Sequence, residues 1–192
     1  MNLLTDAWLP VLADKQSRKI SLQDVLCVDP DWEISLPRDD MELAALQLLV
    51  CLTQVLFPVE SQSDLRARIK APLTEAEYRQ AIEPYRDWFD LDHPSTPFMQ
   101  SRGVVAKEAT PIQKLFIGLP EGNNHSLFNA EGEIGRVCGG CAAIALFNQA
   151  GNAPSFGGGF KGSLRGGAPV TTLIDAPSLR RRVWENVLPL SE

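Results

Sequence analysis

The sequence predicts an α+β fold, a single mixed domain with short N-terminal strands, a buried central helix and long loops rich in glycine and proline. Three observations support this class. The first 37 residues alternate short apolar runs with turns, which is typical of short strands. The apolar stretch from Met41 to Phe57 predicts the central helix. The chain from Asp92 to Gly135 is rich in proline, glycine and asparagine, which favours long loops.

Capping residues and prolines set the predicted helix boundaries. Asp39 or Asp40 can cap the central helix, and Pro58 ends it. Thr74 and Glu77 form a capping box for a later helix, which Pro84 breaks or kinks. The remaining helices are predicted at 64–69, at 110–116 with Thr110 as the cap and Pro111 in the first turn, at 141–150 with Gly151 as the end, and at 178–188.

The composition narrows the class of protein. The chain has 192 residues, of which 44% are hydrophobic and 22% charged, and its formal net charge is -6. The longest apolar run, Met41 to Phe57, is too short and too polar to cross a bilayer, and no secretory signal is evident. We therefore expect a cytoplasmic protein with no membrane partner. The net acidity disfavours autonomous non-specific binding to nucleic acid, so any such role must be local or shared with a basic partner.

A glycine-rich segment from Ala153 to Gly167 is the most informative stretch of the chain. It holds six of the 14 glycines and no acidic residue. Glycine permits positive φ and brings backbone N–H groups into contact with a ligand that a larger side chain would exclude. Lys161 and Arg165 supply positive charge, and the whole stretch from Ile134 to Ile174 lacks Asp and Glu. A local positive surface that binds phosphate is therefore predicted.

Two nucleotide-binding interpretations of this segment fail. Gly157, Gly159 and Gly162 match a dinucleotide-binding spacing, but no strand precedes them and no helix follows. A Walker loop needs Gly-Lys-Ser/Thr, whereas the order here is Lys161, Gly162, Ser163. From composition alone, a flexible loop whose glycines only permit tight turns stays open as the alternative.

The pair Cys138 and Cys141 is a second candidate site. A C-x-x-C turn places two sulfurs close enough to share a tetrahedral zinc, and the glycines between them let N–H groups point toward the thiolates. This is half of a zinc site. Cys27 is predicted in a buried strand and Cys51 in the buried helix, while His93 and His125 are isolated. Buried structural thiols and a redox pair remain alternatives.

Four sequence motifs, in this order, resemble the start of CasA, the large subunit of the type I-E CRISPR surveillance complex Cascade. The resemblance extends over essentially the whole chain. The motifs are Leu36-Pro37-Arg38-Asp39-Asp40-Met41-Glu42-Leu43-Ala44-Ala45, Pro97-Phe98-Met99-Gln100, Cys138-Gly139-Gly140-Cys141 with the following Ala143-Ile144-Ala145-Leu146-Phe147-Asn148-Gln149-Ala150, and the glycine-rich segment with Leu164-Arg165-Gly166-Gly167 and Pro169-Val170-Thr171-Thr172.

The resemblance implies a complex in which base pairing with a guide RNA reads the target and the protein reads a short flanking motif, the PAM. In the family, the glycine-rich loop approaches the PAM duplex from the minor groove, and Gly158 is the expected close contact. A second loop contacts the guide RNA, the target or a neighbouring subunit through Phe-Val-Asn; here the aromatic residue is displaced by one position. The implied DNA-binding residues are Ser155, Phe156, Gly157, Gly158, Gly159, Lys161 and Arg165, and those of the second loop are Leu127, Phe128 and Asn129.

The resemblance also sets expectations for what accompanies this chain. Residues 1–192 would be the N-terminal domain, or most of it, and the C-terminal helical bundle of the family would be absent. The two remaining zinc ligands would lie beyond residue 192. The implied partners are other Cascade subunits, the guide RNA, double-stranded target DNA and a recruited helicase-nuclease.

The resemblance implies a role in antiviral defence. We expect this role to be non-enzymatic, because the sequence contains no recognisable nucleophile–base motif and only two histidines. The alternative from another class is a protein-binding scaffold or a fragment without DNA recognition of its own. A redox enzyme that uses Cys138 is a third possibility.

Overall fold

A computed structural model describes residues 1–28, 30–105, 109–117, 132–153, 163–164 and 171–191. Within these residues the chain forms a three-stranded sheet and six α-helices, so the predicted α+β class is confirmed. The elements are β1 (Leu9–Ala13), β2 (Gln16–Ile20), α1 (Leu22–Cys27), β3 (Glu33–Ile34), α2 (Asp39–Leu56), α3 (Gln62–Lys70), α4 (Glu75–Ile82), a 3₁₀ helix (Glu83–Phe89), a second 3₁₀ helix (Ile112–Leu115), α5 (Gly139–Asn152) and α6 (Leu179–Trp184).

The sheet is short and antiparallel, with β1 in the centre and the order β2-β1-β3. A two-residue turn joins β1 to β2, and both of its residues, Asp14 and Lys15, have positive φ (49° and 63°). Such a turn matches the twist of a hairpin and fixes its register, so Leu9 lies opposite Ile20. Both of these side chains are buried, and one face of the hairpin therefore joins the core.

The central helix α2 has 18 residues, but its details differ from the prediction. Arg38 is the N-cap residue, and neither Asp39 nor Asp40 caps the helix; both lie in its first turn, where a negative charge favours the positive end of the helix dipole. The helix is also not buried on all sides. Leu43 is 46% exposed and Val55 is 47% exposed, although the opposite face is packed.

The core forms where the helices enclose the N-terminal residues. Helix α2 packs against α5 and α6, α3 packs against α6, and α1 packs against α4. The fully buried Trp8 donates from its indole Nε1 to the carbonyl of Leu3 at 2.8 Å. Tyr78 donates from its hydroxyl to the carbonyl of Leu4 at 2.7 Å and stacks on Phe57 with ring centroids 5.6 Å apart. The first residues of the chain are therefore part of the interior.

Two of the predicted helices begin at the expected residues. The Thr74–Glu77 capping box is present, and Ser178 caps α6. After Ile82 the chain tightens into the 3₁₀ helix Glu83–Phe89, with Pro84 in its first turn, so the predicted break is a change of helix type. Among the described helices, none combines the length and the apolar character that a bilayer crossing requires.

Other predicted helices differ from the observed ones at one or both ends. The helix predicted at 64–69 is α3, Gln62–Lys70. The helix predicted at 110–116 is only the 3₁₀ helix Ile112–Leu115, preceded by Pro111 and not capped by Thr110. Helix α5 begins at Gly139, two residues before the predicted start, and continues through Gly151 to Asn152. Helix α6 ends at Trp184, well short of the predicted end at residue 188.

Candidate nucleic-acid interface

The residues predicted to contact nucleic acid lie outside the described residues, whereas the anchors on either side of them are described. The undescribed candidates are Ser155, Phe156, Gly157, Gly158, Gly159, Lys161 and Arg165, and Leu127, Phe128 and Asn129. The stretch 154–162 is named the glycine segment below, and 118–131 is named the second segment.

The glycine segment starts and ends at the C-terminal end of α5. Ala153, directly before it, is 2% exposed, and Ser163, directly after it, is 7% exposed. The backbone N–H of Leu164 donates to the carbonyl of Ala150, in the last turn of α5, at 2.9 Å. The chain therefore leaves the helix and returns to it at one place, so the last turn of α5 holds both anchors of the glycine segment.

The anchors of the second segment are held by polar side chains, of which Gln113 is buried. Arg38, before α2, donates to the carbonyl of Ile117 at 2.6 Å. On the other side, the N–H of Gly132 donates to Oε1 of the buried Gln113 at 2.7 Å. Gln149 on α5 donates to the carbonyl of Lys114 at 2.9 Å. Both ends of this segment are therefore tied to the region where α2 and α5 meet.

Polar side chains between α2 and α5 connect these anchors. Asp40 accepts from Arg38 at 2.8 and 3.2 Å and from the amide of Asn148 at 3.0 Å. The carbonyl oxygen of Asn148 accepts from Asn152 at 3.0 Å, and Asn152 also donates to Gln47 at 3.2 Å. The motifs behind the family resemblance contain Arg38, Asp40 and Asn148, but the sequence carries no signal that pairs residues 108 positions apart.

The pair Cys138 and Cys141 lies at the opposite end of α5, about 20 Å away at 1.5 Å per residue. Cys138 is the N-cap residue, and its sulfur accepts from the N–H of Cys141 at 3.5 Å. Burial, and after it the hydrogen bond to Cys138, raise the pKa of Cys141 to about 11. The pKa of Cys138 is lowered: burial opposes this, but the Cys141 N–H, the Cys141 thiol and Lys19 together outweigh it.

Cys138 is the more readily ionised thiol of the pair, because the Cys141 N–H and Lys19 stabilise its thiolate. In the part of the chain that the structure describes, no third His, Cys, Asp or Glu joins them in a metal-binding cluster. The predicted environments of the other two cysteines are wrong. Cys27 ends helix α1 and is half-buried, and Cys51 lies on α2 with an exposed side chain.

The glycines between the cysteines have a steric role that sequence reasoning missed. A Cβ on Gly140 would lie 2.2 Å from the backbone oxygen of Trp8 and 3.1 Å from its carbonyl carbon. A Cβ on Gly139 would lie 2.8 Å from the sulfur of Met1. The first turn of α5 therefore packs directly on the N-terminal residues, and Gly140 permits an approach that no other residue allows.

The described residues define a class: a small mixed α+β domain in which the anchors of both segments lie where its two longest helices, α2 and α5, meet. A family model described as CRISPR-associated protein Cse1 matches residues 2–192. The chain belongs to the Cse1 family, and the resemblance deduced from its motifs is confirmed.

Individual relatives agree with this assignment and are longer than this chain. CRISPR-associated protein CasA/Cse1 of Thermus thermophilus is 27% identical over 131 residues, which make up 67% of this chain and 26% of that protein. Cse1 of Thermobifida fusca superposes with a TM-score of 0.73 at 22% identity and covers 98% of this chain and 39% of its own. A chain of a CRISPR RNA-guided surveillance complex in a pre-nicking state superposes with a TM-score of 0.70 at 18% identity, covering 97% and 42%. This chain therefore spans well under half the length of these relatives.

Proposed function

We propose that this protein is a non-enzymatic subunit of an RNA-guided surveillance complex and helps to recognise the PAM of double-stranded target DNA through the glycine segment and its basic neighbours. The observation that carries the proposal is the closure of the glycine segment on one helix end, at Ala150 and Leu164. Membership in the Cse1 family supports a role as a subunit of a CRISPR surveillance complex. The likeness to a chain of an RNA-guided surveillance complex supports other subunits and a guide RNA as partners.

The chemistry of the segment suits recognition in the minor groove. That groove is narrow and presents a degenerate pattern of hydrogen-bonding groups, so a backbone without side chains can press against the base edges and tolerate related sequences. The stretch from Ile134 to Ile174 lacks acidic residues, which removes repulsion from the DNA phosphates in a chain whose net charge is -6. Lys161 and Arg165 then provide phosphate contacts that position the segment.

Two further proposals follow from the family. Residues 1–192 correspond to the N-terminal domain, or most of it, of a Cse1 large subunit, because the matched relatives are aligned over about two-fifths of their length or less. Cys138 and Cys141 supply two of four zinc ligands, and the others come from outside these residues. A bound zinc would fix the first turn of α5 and thereby the axis of the helix that anchors the glycine segment.

The DNA-reading proposal predicts different effects for two substitutions in the assembled complex. Gly158→Leu adds a side chain where the backbone meets the groove, so it should lower discrimination between correct and incorrect PAMs by about tenfold. Lys161→Ala removes at most one phosphate contact, so it should weaken the binding of both DNAs about equally. The slope of log affinity against log salt concentration should become smaller by about one. Gel-shift titrations at several salt concentrations, with DNAs that differ only in the PAM, measure both effects.

Thermal melts of both variants serve as the control for folding. If Gly158→Leu assembles normally and keeps the wild-type PAM preference, the glycine segment is not a reader, and a protein-binding scaffold becomes the better description. A scaffold with an apolar interface would also bind with little dependence on ionic strength, in contrast to a phosphate-binding surface.

The zinc proposal predicts weak metal binding by residues 1–192 alone and tight binding by a chain of the length of its relatives. Two thiolates cannot complete a tetrahedral site, so the zinc should be lost on dialysis against a mild chelator or be shared between molecules. Elemental analysis after dialysis measures the zinc content of the unsubstituted chain, of Cys138→Ser and of the matched control Cys51→Ser. One zinc retained per monomer would mean that Cys27, Cys51 or a histidine completes the site, and the half-site proposal would fail.

A further inference from the structure

An unbroken chain of side-chain hydrogen bonds joins the anchors of the two segments. It starts at the carbonyl of Ile117, the last described residue before the second segment, which accepts from Arg38 at 2.6 Å. Arg38 also makes a bidentate contact with Asp40, with N···O distances of 2.8 and 3.2 Å. A guanidinium holds such a contact in one geometry, so the position of Ile117 is tied to that of Asp40.

Asn148 connects the hydrogen bonds of α2 to those of α5. Its amide nitrogen donates to Asp40 at 3.0 Å, and its carbonyl oxygen accepts from Asn152 at 3.0 Å. Asn152 is the last residue of α5, and only Ala153 separates it from the glycine segment. Asn148 is 2% exposed, so water cannot replace these partners if they are lost.

The donors and acceptors of these groups fix the direction of each hydrogen bond in the network. The carboxylate oxygens of Asp40 accept from two donors, Arg38 and Asn148. Asn148 uses its donor group toward Asp40 and its acceptor group toward Asn152, so reversing its amide would break both contacts. The arrangement is therefore a single connected network, whose middle member touches both halves.

We propose that Asn148 is a positioning residue that couples the second segment to the glycine segment and holds their anchors in one relative arrangement. The consequence of this coupling for the recognition of RNA and DNA rests on the proposed function. The coupling of the anchors itself does not depend on that function. Contact of the second segment with RNA or a neighbouring subunit and contact of the glycine segment with DNA would then depend on each other. The competing description is that each segment is anchored independently.

Hydrogen exchange followed by mass spectrometry tests the coupling, both in the assembled complex and in the chain by itself. Asn148→Ala should accelerate amide exchange by about fivefold in the two peptides that contain the anchor amides of Phe116 and Leu164, whose N–H groups donate to the carbonyls of Gln113 and Ala150. This is the effect of losing roughly one net hydrogen bond at each anchor. Arg38→Lys loses the bidentate contact beside Ile117 only, but coupling requires that it also accelerate exchange at Leu164. This transmitted effect is what a local structural role would not produce.

Gln54→Ala is the matched control, because the Gln54 amide makes two hydrogen bonds to the backbone of Leu188, at 2.8 and 2.9 Å, from the same helix α2. It should leave both peptides unchanged. If Arg38→Lys accelerates exchange only in the Phe116 peptide, the two anchors are held independently and the proposal is wrong, even if Asn148→Ala affects both peptides. If Asn148→Ala unfolds the protein, the Arg38→Lys result decides. Because exchange in the chain alone needs no DNA, a negative result for Gly158→Leu would leave this test intact.

Discussion

Replacing Gly140 by alanine is expected to lower the free energy of unfolding by about 3 kcal/mol. The added Cβ would lie 2.2 Å from the backbone oxygen of Trp8, and a backbone atom cannot rotate away as the end of a side chain can. The Trp8 backbone is itself fixed, because its N–H donates to the carbonyl of Ile20 at 3.1 Å and its indole is fully buried. Either α5 or the hairpin must move.

Gly151→Ala in the same helix is the matched control. Among the residues that the structure describes, none lies within 4 Å of an added Cβ there, and alanine is the better helix former, so stability should rise by about 0.5 to 1 kcal/mol. Urea denaturation followed by circular dichroism measures both variants. If Gly140→Ala unfolds at the same urea concentration as the wild type, the close packing of α5 on Trp8 is not a real constraint.

The contrast between these two glycines explains part of what sequence reasoning can and cannot reach. Gly151 was expected to end a helix and instead lies within it, because α5 continues to Asn152. Gly140 was expected to orient N–H groups toward thiolates, whereas its neighbour is Trp8, 132 positions earlier in the chain. Local rules describe what a residue permits, but contacts across the fold decide what it is required for.

Local signals succeeded where partners are close in sequence. The capping box of Thr74 and Glu77 was predicted and is present. A similar box joins Ser21 and Asp24, and it would have placed Cys27 in helix α1 rather than in a strand. The short apolar run around Cys27 fits a buried strand or a buried helix equally well, so periodicity alone could not decide.

The family resemblance reached further than the patterns did. It identified the Cse1 family from motifs that include Arg38, Asp40 and Asn148, without indicating that these residues touch. The contact between Asp40 and Asn148 spans 108 residues and needs α2 and α5 to pack side by side. The motifs therefore contain the residues that anchor the two segments, but only the fold reveals which of these residues are hydrogen-bonded to each other.

Removing the side chain of Arg180 is expected to be as damaging as the change at Gly140, with a loss of about 3 kcal/mol for Arg180→Ala. Arg180 lies on α6 and is only 3% exposed. Its guanidinium donates to the carbonyls of Arg68 at 2.8 Å and Ile69 at 3.0 Å. Both carbonyls belong to the last turn of α3, where unpaired acceptors and the negative end of the helix dipole favour a cation.

Two variants separate this role from a general effect of charge. Arg180→Lys keeps the charge, but its single ammonium cannot reproduce the fork that meets two carbonyls, so about half of the loss should remain. The neighbouring Arg181 is 41% exposed and pairs with Glu185 across one helical turn, so Arg181→Ala should change stability by about 0.5 kcal/mol or less. Urea denaturation measures the free energy of unfolding of the three variants and therefore the order of their destabilising effects. Equal effects of Arg180→Ala and Arg181→Ala would mean that the Arg180 contact does not hold α3 against α6.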